Sequence, residues 1–212
     1  MDTMRRTLLL SVLAAATLWF LMFSPWTAGW FTFWWAMTAS ALILSAIALY
    51  NNKNASCLWP QTWRECLVNT GLAVVIAAGL WIVFYVGDKM SGWLFDFARP
   101  QVDLIYGMKS EVSPSIIACL LLFIIGPAEE LFWRGYVQHS LAAQMNPTTA
   151  YLLATSVYTL VHLPSLNFML IMAALTCGLA WGGLYRLMPH RLPAIILSHA
   201  LWDAAAFVWF PF

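Results

Sequence analysis

The sequence predicts an all-α fold: a polytopic transmembrane helical bundle of about seven spans, or eight if the longest is broken, with an interfacial segment around residues 88–114. Three observations predict it. The 212 residues are 62% hydrophobic and only 9% charged, whereas a soluble domain carries about 25% charged residues. Most of the surface must therefore face lipid. Apolar runs near the length of about 20 residues that a bilayer requires recur along the chain. The Lys and Arg residues between them concentrate on alternate connections. The net charge of +1 leaves no basic surface to argue for nucleic acid.

Met1 to Arg6 is short and basic, and Thr7 to Phe23 is apolar. Ala14-Ala15-Ala16 looks like a signal-peptide cleavage site. The apolar run continues past it, so a retained first span is expected. Further spans are expected at 30–50, 68–87, 115–143, 148–163, 166–187 and 192–210. The fourth is longer than a bilayer needs. It should project into water over its second half or break near Pro127. Segment 88–114 mixes Trp93, Phe95, Phe97 and Tyr106 with Asp96, Arg99 and Asp103, an interfacial pattern rather than a span. Residues 1–114 thus supply N-terminal helices and an interfacial segment, and 115–212 carry the polar motifs, within one integral membrane domain.

Arg5, Arg6, Lys53, Arg64, Arg134, Arg186 and Arg191 fall on one side of this topology, and Lys89, Arg99 and Lys109 on the other. The positive-inside rule then puts the N-terminus in the cytoplasm, in a multi-pass protein of the cell inner membrane. Cys57, Cys66, Cys119 and Cys177 show no CxxC spacing and read as unremarkable thiols. No internal repeat points to a transporter-style duplication.

The polar residues inside the apolar runs carry the chemistry. Ionisable groups at membrane depth mark functional sites. Glu129 and Glu130 end the run Ile116 to Ile125, and Arg134 follows. Glu130 and Arg134 are four apart and share a helix face. Glu129 is rotated by about 100°. One carboxylate is then neutralised while the other, Glu129, stays free, unless both glutamates join one buried network with the arginine. His162 closes the fifth run, with Tyr158 one turn earlier. His199 and Asp203 are four apart on the last. Asp203 orients His199, or both point at one bound group. His139 and His190 sit near polar helix ends and are expected to be solvated. A desolvated carboxylate is a general base for water, and histidines donate to an oxyanion. The same residue types, Glu129, His162 and His199, also suit zinc. There is no HExxH, no Glu-x-x-His pair and no GxSxG elbow.

Over residues 115–210 the chain resembles the type II CAAX prenyl endopeptidases, the CPBP or ABI family of intramembrane proteases. Glu129-Glu130-Leu131-Phe132-Trp133-Arg134 fits that family's EExxxR motif, and Tyr158 to His162 fits FxxxH with Tyr for Phe. His199 to Asp203 fits the Asp form of HxxxN/D, and Gly178 to Arg186 resembles the sixth-span pattern. The resemblance implies a hydrolase of peptide bonds in a membrane-embedded or lipid-anchored substrate, prenylated or bearing a sorting signal. Glu129 would activate water, and His162 and His199 would bind the water or stabilise the oxyanion. Glu130, Arg134, Asp203 and Tyr158 would support them. An ionised Asp203 cannot donate a hydrogen bond, so orienting His199 is its expected role. Metal-free catalysis is favoured over zinc held by Glu129, His162 and His199. The replacement of Phe by Tyr158 is expected to touch packing and not the acid–base groups. Two other classes remain open: a non-catalytic scaffold that holds a peptide, and a proton-coupled transporter.

Overall fold

The computed structural model describes residues 3–51 and 62–212; Lys53 and Cys57 lie outside them. The chain forms helices α1 (Thr3–Phe23), α2 (Phe33–Asn51), α3 (Trp63–Leu94), α4 (Ala98–Gly107), α5 (Pro114–Ala142), α6 (Pro147–Leu160), α7 (Phe168–Leu187) and α8 (Leu192–Ala204). No strand occurs among the described residues. Six helices are long and apolar enough to cross a membrane: α1, α2, α3, α5, α7, and α8 with its flanking turns (Pro189–Trp209). The expected 148–163 span is the shorter α6, 14 residues, whose rise is about 21 Å. The outward faces carry many exposed apolar side chains, as an integral membrane protein requires; Val75 on α3 is 69% exposed.

Two segments differ from their expected limits. The third span, expected at 68–87, is a 32-residue helix. Thr62 caps it by accepting from the Glu65 N–H, and no proline intervenes before Leu94. It therefore takes residues 88–94 out of the interfacial segment. What remains of that segment is the short helix α4, where Arg99 pairs with Asp103 at 2.7 Å. Burial pushes the ammonium of nearby Lys109 below its usual pKa, and it donates to the Phe207 carbonyl at 2.9 Å.

The fourth span does not break at Pro127, and its second half becomes exposed only past Gln138, at His139. It relaxes into two π-helical stretches, Leu121–Ile125 and Trp133–Gln138. Gly126 N–H bonds the Leu121 carbonyl five residues back, and the wider turn accommodates Pro127, which has no N–H to give. The second half is buried from Trp133 to Gln138 because other helices cover it. Gln138 Nε2 donates to the Gly182 carbonyl on α7 at 2.9 Å. Gly126 is the tightest helix approach: a Cβ there would lie 2.8 Å from Ala200 Cα. Only glycine lets α5 meet α8 one residue away from His199.

Hydrogen bonds define the two ends of the bundle. At one end Arg5 reaches Gln144, Arg186 reaches Thr148 and Arg191 reaches Asn69. At the other, α4 is tied down. Trp34 Nε1 donates to the Met108 carbonyl, Asn167 Nδ2 to that of Gln101 and Phe212 N–H to the Tyr106 hydroxyl. The bundle's large cavity lies toward this second end.

Candidate active site

The polar residues of three helices converge in one cavity of about 430 Å³. α5 brings Glu129, the end of α6 brings Tyr158 and His162, and α8 brings His199 and Asp203. These groups form one polar end. Aromatic walls, among them Phe23, Phe33, Phe84 and Phe95, extend from there toward α4. No Lys or Arg lines the cavity among the described residues. His139 and His190 lie outside it and are exposed, as expected.

The two adjacent glutamates go to different surroundings. Glu130 is fully buried. Its Oε1 accepts from Arg134 at 2.8 Å and from His199 Nδ1 at 2.8 Å. The i,i+4 pair is therefore present, and His199 joins it. The arginine also donates to the Cys177 carbonyl and lies over the Tyr158 ring, 4.8 Å from its centroid. Glu129 has no Lys or Arg partner within ion-pair distance among the described residues. Its Oε2 accepts from the Tyr158 hydroxyl at 3.0 Å. Tyr158 thus touches the candidate base directly, which reading it as a packing residue did not anticipate.

Beyond α6 the chain turns at His162, because Leu163-Pro164 cannot continue the helix and Leu166 turns left-handed at φ 51°. The His162 ring is held from both sides. Nδ1–H donates to the Tyr158 carbonyl at 2.8 Å, and Nε2 accepts from Trp19 Nε1–H at 3.1 Å. A carbonyl can only accept and an indole N–H can only donate, so the tautomer is fixed. His162 has no free N–H to offer an oxyanion in this arrangement. Trp19, from the first span, is a site residue that motif reading missed; nothing distinguishes it in sequence from the other twelve tryptophans.

His199 is clamped between carboxylates. Nδ1 faces Glu130 at 2.8 Å, and Nε2 faces Asp203 Oδ2 at 3.5 Å. Its ring stacks on Trp181 with centroids 3.8 Å apart, and Trp181 is itself anchored by donation to Ser198 at 3.1 Å. The short bond that orients His199 therefore comes from Glu130, with Asp203 the longer contact on the far nitrogen. The donor set does not fit a zinc ion. No three His, Cys, Asp or Glu side chains are grouped to hold a metal among the described residues. The lone pair of His162 Nε2 is engaged by Trp19, and both His199 nitrogens face acceptors.

Compared with known proteins, residues 111–205 match the family model described as Type II CAAX prenyl endopeptidase Rce1-like. The match covers the helices that carry Glu129, His162, His199 and Asp203, and it bears out the resemblance read from their motifs. No curated protein and no solved structure matches the chain.

Proposed function

Residues 111–205 match the Rce1-like family model, and on that similarity we propose that the protein is an intramembrane endopeptidase that cleaves with a glutamate-activated water. One observation carries the reading: Glu129 is a buried carboxylate at the polar end of an apolar cavity, held by a phenol rather than by a cation. A buried carboxylate without a directly paired cation is costly to keep, and such groups are the ones that take up protons in catalysis.

In this mechanism Glu129 accepts a proton from water as the water oxygen bonds to the scissile carbonyl carbon. The carbonyl π pair moves onto oxygen, giving a tetrahedral oxyanion. Its collapse breaks the C–N bond, and Glu129 returns the proton to the departing amine. His199 N–H groups, held by Glu130 and Asp203, put positive charge beside the developing anion. His162 holds the Tyr158 end of the site in place. No step passes through a metal, since the donors do not fit one. The aromatic walls suit a prenyl chain or the apolar end of a membrane-anchored peptide. With the N-terminus cytoplasmic, the cavity end under α4 faces the outer side.

The test uses wild-type protein in proteoliposomes and quenched peptides, one carrying farnesyl-cysteine followed by three residues and one unprenylated. Cleavage by the wild type, and cleavage at least about 10²-fold slower by Glu129→Gln, is the expected result. Undiminished cleavage by Glu129→Gln would remove the assignment.

A further inference from the structure

The oxyanion formed in that mechanism needs donors, and of the two histidines expected to supply them only His199 has an N–H to give. His162 spends its one N–H on the Tyr158 carbonyl, and Trp19 occupies its other nitrogen. Asp203, if ionised, has nothing to donate. The donors left at the polar end are His199 Nε2–H, loosely held at 3.5 Å from Asp203, and the Tyr158 hydroxyl, 3.0 Å from Glu129. Resting on the endopeptidase reading, we propose that Tyr158 is a catalytic residue whose hydroxyl is released from Glu129 to hydrogen-bond the oxyanion.

The timing follows from Glu129. In the resting site its carboxylate is the strongest acceptor near the phenol, a charge-assisted partner. When Glu129 takes the water's proton it becomes a neutral carboxylic acid and a weaker acceptor. The oxyanion forms in the same step and becomes the better one. The phenolic O–H turns toward it without transferring its proton. When Glu129 passes its proton to the leaving amine, it is again a carboxylate and draws the hydroxyl back. The phenol cannot drift meanwhile, because its ring is pinned. Arg134 lies over one face, and the edges of Trp133 and His162 pack against it with centroids 5.3 and 5.1 Å away.

The test is Tyr158→Phe, which keeps the ring and its packing and removes only the hydroxyl. It is assayed for turnover on the farnesylated peptide and for binding of two probes. One is the uncleaved peptide with its scissile bond N-methylated; the other is a phosphinate in which a P–O⁻ stands where the oxyanion forms. Loss of an oxyanion donor costs about 10²–10³-fold in kcat. The expected result is that loss, with a parallel loss of phosphinate affinity and unchanged binding of the N-methyl peptide. Turnover and phosphinate affinity within twofold of wild type would overturn the proposal alone. So would equal weakening of both probes, which marks a structural residue. A wild-type protein that neither cleaves the peptide nor prefers the phosphinate overturns the endopeptidase reading, and this proposal with it.

Discussion

Helix α5 carries two stripes offset by a single residue, and they meet different worlds. Leu121, Ile125 and Glu129 recur every four residues and line the cavity. Gly126, Glu130 and Arg134 recur at the same spacing one position on. They pack into the body of the bundle, against Ala200, His199 and the Cys177 carbonyl. Both stripes contain a buried glutamate. On the packed stripe the carboxylate has an arginine and a histidine and serves as a joint between helices. On the cavity stripe it has only a phenol. Both glutamates are buried, and it is the unequal pairing that separates a structural charge from one available for chemistry.

Four substitutions test that separation, from the largest expected effect to the smallest. Glu129→Gln should lower peptide turnover by about 10²–10⁴-fold, the range for loss of a general base, while the thermal midpoint stays near wild type. A fall in stability to match the loss of turnover would make Glu129 a structural residue like its neighbour. Arg134→Ala should do the reverse. Breaking a buried pair by removing one partner costs about 3–5 kcal/mol, and here it strands Glu130 with His199 alone. Folded yield in detergent and the thermal midpoint should both drop before activity can be measured. Wild-type stability in that variant would mean that the packed stripe does not rest on its ion pair.

Gly126→Ala probes the packed stripe more gently. The added methyl would meet backbone rather than a flexible side chain, 2.8 Å from Ala200 Cα. Overpacking of this kind costs about 1–3 kcal/mol. Because α8 carries His199 next to Ala200, any outward shift also lengthens the 2.8 Å contact to Glu130. Lower stability together with reduced turnover is expected. Unaltered stability would show that the helices separate freely at this crossing.

The difference between the stripes was half legible in sequence. Spacing alone pairs Glu130 with Arg134, because i,i+4 is a property of any helix, and the same helix geometry turns Glu129 away. The sequence allowed Glu129, His162 and His199 to meet, and the resemblance of their motifs implied it, but spacing alone did not establish it. The partners that bend these roles came from elsewhere. Glu130 meets His199 across 69 positions, a contact that depends on the close approach at Gly126. The Tyr158 hydroxyl is one atom more than the phenylalanine of the motif, and sequence says nothing of where that atom points. Pro127 signalled a disturbed helix, and the π-helical remedy could not be told from a break. The length of α3 was hidden because residues 88–94 are amphipathic enough to pass for an interfacial segment.

Trp19 is where the comparison sharpens most finely. The cavity stripe continues one turn to Trp133, whose ring meets that of Trp19 edge-on with centroids 6.2 Å apart. Trp19 is fully buried and gives its N–H to His162 Nε2. Trp19→Phe keeps an aromatic ring in the contact and removes the N–H. A net buried hydrogen bond is worth about 0.5–1.5 kcal/mol, so the stability change should be small. The imidazole responds more clearly. In the wild type, ¹⁵N spectra should show a His162 ring protonated at Nδ1 alone, with Nε2 hydrogen-bonded. In the variant the Nε2 signal should move toward that of an unbonded nitrogen, and its freed lone pair should let added Zn²⁺ inhibit turnover at lower concentration. Turnover should fall several-fold with KM little changed. That pattern would place a residue of the first span with the cavity stripe. A loss confined to stability, with His162 spectra and zinc sensitivity unmoved, would place Trp19 with the packed stripe instead, and His162 would owe its orientation to the Tyr158 carbonyl alone.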